Sequence, residues 1–126
     1  MSFRQFTLEE ARKALPLVTR IATDLHGCVQ QLAEIPGGLS YIYGAMKLDE
    51  FPGDRRNRIE SLRGQIEALS DELVEIGVEL NGLQPVLVDF RSRRDGAEVC
   101  LCWAYGEADI AHWHTVEDGF KGRQPL

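Results

Sequence analysis

A seven-residue beat of apolar side chains running through the first third of the chain constrains the fold more than any other feature. Leu8, Leu15, Ala22 and Val29 form one column and Ala11, Val18, Leu25 and Leu32 the next, a spacing that turns one face of a helix toward a partner. A third column, Ala14, Ile21, Cys28 and Ile35, is apolar too, so the stripe is wider than a two-helix seam requires. Thr7 with Glu10 three residues on has the form of a capping box. Pro16 is expected to bend the helix without ending it, because the periodicity resumes beyond it. Pro36-Gly37-Gly38 supplies the stop.

A second helix is expected from Asp54, with a narrower stripe: Ile59, Ile66 and Leu73 beside Leu62, Leu69 and Ile76, flanked by polar Arg63, Gln65, Ser70 and Glu72. Gly77 followed by Val78 has the form of a Schellman ending in which Val78 touches Leu73. Leu80 and Leu83 continue the heptad, which leaves that end open. The two helices read as a long antiparallel, coiled-coil-like hairpin over 7–77. Their connection, 36–54, is rich in Gly, Pro and Tyr and is expected to pack down through Tyr41, Tyr43, Met46 and Phe51. The narrow helix needs one partner and the wide one at least two. Three short strands do not span a helix of about 35–40 Å, so a homodimer is the expectation.

Beyond Pro85 the period changes from helical to alternating. Val86–Phe90, Glu98–Trp103 and Ile110–His114 read as three strands of an antiparallel sheet over 86–116, followed by a tail over 117–126. Asp95-Gly96 is a strong two-residue hairpin signal. Counting back from it pairs Arg94 with Ala97, Phe90 with Leu101 and Val88 with Trp103 on an apolar face. The same register sets Asp89 across from Cys102, and Arg91 across from Cys100, on the other face. The third strand has two parities. Turning Trp113 inward buries more apolar area than turning Ile110 inward, and it places His112 and His114 beside Cys100, Cys102 and Asp89. The fold class is therefore α+β, a single domain over 1–126.

Charge and composition narrow the functions. A formal net charge of −6 argues against nucleic acid as the main partner, since neutralising phosphates supplies most of that affinity. It argues equally against docking on an anionic membrane. No apolar run approaches the ~18 residues that span a bilayer, and Met1-Ser2-Phe3-Arg4-Gln5-Phe6 lacks the apolar core of a signal peptide. Cys28, Cys100 and Cys102 are an odd number without scaffold spacing, as expected of a reduced, cytoplasmic protein.

Same-face residues two apart on a strand lie about 6.5 Å from one another, and the next strand is about 4.8 Å away. Two thiols and two imidazoles so placed, with Asp89, suit a divalent metal such as zinc, or iron or copper. The same residues also read as two small buried hydrophobes and two surface histidines. A third reading makes Cys102 a nucleophile, held as thiolate by His114, which Asp89 orients. Glu117 joins the set if the chain turns back. Arg55, Arg56 and Arg58 crowd the start of the second helix, where they either pair with Asp49, Glu50 and Asp54 or await an anion.

Phe6-Thr7-Leu8-Glu9-Glu10-Ala11, Leu15-Pro16-Leu17-Val18, Leu87-Val88-Asp89-Phe90, Leu101-Cys102-Trp103, Trp113-His114 and Gly119-Phe120-x-Gly122-Arg123 resemble a prokaryotic family, domain of unknown function 2203, over nearly the whole chain. The resemblance implies membership and no mechanism. It picks out Asp89, Cys102, Glu107, His114 and Arg123 as positions matching the family's pattern. His112, where an aromatic is expected, and the long 36–54 connection depart from that pattern. The leading expectation is a metal ion or small ligand bound around Cys102 and His114. The rival is a non-catalytic interaction module using the helices, and a cysteine-dependent enzyme comes third.

Overall fold

The first helix starts where its local chemistry dictates. In the computed structural model, which describes residues 4–126, the Thr7 hydroxyl accepts from the Glu10 backbone N–H at 3.1 Å, and the Glu10 carboxylate accepts from the Thr7 N–H at 2.9 Å. The reading of Met1–Phe3 lies outside the described residues. Helix α1 spans Leu8–Glu34 and carries Pro16 within it. A short helix α2, Gly38–Ile42, follows, then a 3-10 turn, Leu48–Glu50, and helix α3, Gly53–Ile76. Helix α3 begins one residue earlier than expected. Its N-cap is Pro52, which makes no side-chain cap bond, and Asp54 lies inside the first turn.

The connection between α1 and α3 is ordered by its own side chains. Phe51 is buried and meets Tyr41 edge to face at 6.1 Å. Tyr43, in contrast, stays exposed and reaches Gln84 Oε1 with its hydroxyl at 2.7 Å. Gly38 is required by close approach. A β-carbon there would sit 2.3 Å from the Leu32 carbonyl oxygen, backbone that cannot swing aside. Gly38→Ala is therefore expected to cost about 1–3 kcal/mol, read as a lower urea midpoint with an unchanged slope.

The Schellman ending is present in full. Gly77 adopts φ 99°, its N–H bonds to the Val74 carbonyl, and the Val78 N–H reaches back to Leu73. Val78 and Leu73 are both buried, which closes the hydrophobic clasp of that motif.

Five strands follow, not three: β1 Glu79–Leu83, β2 Val86–Arg94, β3 Ala97–Ala104, β4 His112–Thr115 and β5 Gln124–Pro125. They form one antiparallel sheet in chain order. Strand β1 was missed because Leu80 and Leu83 keep a helical spacing, and its pairing with β2 is irregular between Leu80 and Gly82. Strand β5 is two residues long and contains a proline, so it has no period to detect. The Asp95-Gly96 turn, with φ 53° and 80°, sets the β2–β3 register as counted: Val88 opposite Trp103, Asp89 opposite Cys102, Phe90 opposite Leu101.

The core lies between the helices and one face of the sheet. Val88, Phe90 and Trp103 from the sheet join Leu25, Leu32, Ile59 and Leu73 from the helices, all essentially inaccessible. Ile21, Cys28 and Ile35 are buried within this one chain. The wide stripe is thus covered by α3, the connection and the sheet, and the need for a second subunit disappears. It is a core face rather than a coiled-coil seam. Among the described residues no helix is long and apolar enough to cross a membrane.

Candidate metal centre

The face of the sheet turned away from the helices carries the polar residues. Strand β3 places Cys100 opposite His114, Leu101 opposite Trp113 and Cys102 opposite His112, so both histidines share the face of the cysteines. Trp113 does point to the core side, where it is only half-buried beneath the Arg94 guanidinium. Ile110 is fully buried as well. Strand β4 begins at His112, so Ile110 precedes the pleat and is free of its alternation. The choice between Ile110 and Trp113 was therefore not exclusive.

Three of the five predicted residues converge. One ligand atom each from Asp89, Cys102 and His114 lies within 4.8 Å of the others, and all three side chains are buried. The His114 ring is held at both nitrogens. Nδ1 lies 2.8 Å from the Thr115 carbonyl oxygen, and Nε2 lies 3.0 Å from Asp89 Oδ1. A carbonyl only accepts, so Nδ1 carries a proton and Nε2 faces the carboxylate. The second carboxylate oxygen, Oδ2, accepts from Asn81 Nδ2 at 2.5 Å. Asn81 sits on β1, and missing that strand is why sequence reasoning missed Asn81.

The other two predicted ligands turn elsewhere. His112 Nδ1 lies 3.7 Å from Glu107 Oε2. Cys100 sits across from Arg91 in the register, and Arg91 is ion-paired with Glu79 and Glu98. Glu117 remains exposed. The arginines at the start of α3 form no ion-pair cluster among the described residues; Arg56 instead donates to the Phe51 carbonyl at 2.7 Å.

Glu107 and Arg123, the other two positions of the family pattern, form a clamp beside the three. Arg123 Nη2 donates to Glu107 Oε1 at 2.7 Å, which also accepts from the Ala104 N–H at 2.7 Å. Burial works to raise the Glu107 carboxyl, but the Arg123 and Ala104 bonds outweigh it and hold it below its usual value. The hydrogen bond to Glu107 raises Arg123 in turn. Arg123 also bonds the Cys102 carbonyl at 3.4 Å and stacks over Phe120 at 4.8 Å. The chain after β4 is thereby pinned across the polar face.

Burial, followed by the Asp89 carboxylate, pushes the Cys102 thiol up to about 12, against the opposing pull of Arg123. Burial and Asp89 likewise push Cys100 up to about 12. A thiol held protonated is a poor nucleophile. A thiol–imidazole pair needs one ring nitrogen for the thiol proton, and in the metal-free protein Nε2 of His114 faces Asp89 and Nδ1 faces Thr115. Neutral buried thiols make a pH prediction. Unfolded thiols ionise near about 8.5, so above that pH the unfolded chain holds fewer protons than the native one. Stability should fall as pH rises from there toward 12. Urea midpoints should drop less between neutral and alkaline pH in a Cys100→Ala/Cys102→Ala variant than in wild type. Equal drops would contradict the assignment.

No curated protein and no solved structure matches the chain. A family model described as an uncharacterized conserved protein matches residues 4–126, a span that takes in every strand and every member of the polar cluster. The chain belongs to that family, domain of unknown function 2203.

Proposed function

We propose that this protein binds a divalent metal ion, zinc in particular, on Asp89, Cys102 and His114. One observation carries the reading: oxygen, sulfur and nitrogen donors from β2, β3 and β4 converge within 4.8 Å in a buried setting, with the His114 Nδ1 proton directed to a carbonyl. That second bond is how a ligating imidazole is usually oriented, since it selects the tautomer that leaves Nε2 to the metal. Mixed sulfur, nitrogen and oxygen donors suit zinc best.

Ligand atoms of a tetrahedral zinc lie about 3.3–3.8 Å apart, so the widest pair has to draw in by roughly 1 Å. Zinc would replace the proton between Nε2 and Oδ1 and the proton on Cys102. Binding should therefore release protons and weaken as pH falls.

The test is elemental analysis of protein prepared without chelators or a metal-affinity tag, followed by zinc titration of the chelator-treated protein against a chromophoric competitor. One zinc per chain, lost in Cys102→Ser, is the expected result. Failure of the chelator-treated protein to compete for zinc would refute the reading.

A further inference from the structure

We propose that this centre keeps one coordination position open, and that the position faces a cavity built for a single small ligand, neutral or singly anionic. The inference rests on the reading of Asp89, Cys102 and His114 as a metal centre and adds to it what that centre would hold.

Three donors are available and zinc takes four. Among the described residues no fourth His, Cys, Asp or Glu joins the cluster. His112 lies outside the cluster, its Nδ1 3.7 Å from Glu107 Oε2, and the Asn81 amide donates to Asp89 Oδ2. A fourth ligand has to come from outside the chain, as in catalytic rather than structural zinc sites.

The structure has room for it beside these ligands. A cavity of about 260 Å³ is lined by Asn81, Leu87, Asp89, Cys102, Gly119 and Phe120, so two of the three metal ligands form part of its wall. At about 30 Å³ per water molecule the space holds roughly eight waters, enough for a five- or six-atom ring. Leu87 and Phe120 give it apolar sides. The 3-10 turn Gly119–Gly122 forms one wall, and the Arg123–Glu107 bond at the end of that turn holds it in place.

Charge selects the ligand. A zinc ion with one thiolate and one carboxylate is neutral. Among the described residues the cavity wall contains no cationic side chain, and the nearby Arg123 is paired with Glu107. A dianion would place two negative charges beside Asp89 and Cys102, against which Arg123, shared with Glu107, offers only part of one positive charge. A neutral nitrogen donor or a monoanion adds no such cost.

The experiment uses full-length protein loaded with cobalt(II), whose absorption bands report both sulfur ligation and coordination number. Thiocyanate, imidazole and inorganic phosphate are then titrated in separately. A saturable shift of the visible bands with thiocyanate and imidazole, and an affinity for phosphate at least about tenfold weaker, is the expected result. Unchanged bands with all three probes, in protein that shows the sulfur-to-cobalt charge-transfer band, would mean a closed centre; the metal reading would stand and this inference would fall. Phosphate binding as tightly as thiocyanate would overturn the charge argument. Absence of the charge-transfer band would remove the centre itself.

Discussion

Asp89→Ala should destabilise the metal-free protein by about 2–6 kcal/mol, because two buried polar groups lose their partner at about 1–3 kcal/mol each. The Asp89 and His114 side chains are 6% and 3% exposed. Nδ1 of His114 is protonated toward Thr115, so Nε2 and the carboxylate share the one further proton of the pair. Alanine would leave Nε2 and the Asn81 amide without their protein partner.

Asp89→Asn makes the contrasting case. Its amide can donate to the neutral Nε2 and its oxygen can accept from Asn81, so the loss should stay within about 1 kcal/mol. Yet it carries no anionic donor, and zinc affinity should fall sharply in the same variant. Urea unfolding in the presence of a chelator, run on both variants, separates the structural role of Asp89 from its role as ligand. Equal stability losses would mean that hydrogen bonding at this site contributes nothing.

Trp103→Ala is the second large effect, about 3–5 kcal/mol and a drop in Tm of roughly 10–20 °C for a chain of this length. The indole is 1% exposed, the largest of the fully buried side chains. It stands opposite Val88 on the core face and meets Tyr105 edge to face at 6.3 Å. Its Nε1 donates to the Glu107 carbonyl at 3.0 Å, so the loss extends beyond volume. That bond holds the turn from which Glu107 reaches Ala104 and Arg123. Trp103→Phe keeps most of the apolar area and gives up the bond, at a cost of about 1–3 kcal/mol. A thermal melt that ranks phenylalanine level with alanine would show that the bond, and not the packing, dominates.

Particular residues show how the fold and the candidate site divide between local and distant causes. Thr7 with Glu10, Gly77 with Val78, and Asp95 with Gly96 each act within a few bonds of themselves, so their structures were legible one motif at a time. The hairpin turn then carries its effect along two strands. Once Arg94 pairs with Ala97, the two-residue pleat obliges Asp89 to face Cys102. The face of His114 was legible too, through the inward turn of Trp113, although Trp113 is only half-buried and Ile110 fully so.

Sequence alone therefore determined the two long helices, the central hairpin, and the sharing of one face by Asp89, Cys102 and His114, but not the short helix α2. Only the tertiary structure decided which polar side chains meet. His112 and Cys100 share that face and still turn to Glu107 and toward Arg91, while Asn81 arrives from a strand whose leucines are spaced like a helix. The physical reason is range. Caps, turns and pleats are set by torsions and hydrogen bonds between neighbours, whereas the meeting of side chains from separate strands depends on sheet pairing and on the Arg123–Glu107 clamp that covers them, interactions between residues far apart along the chain.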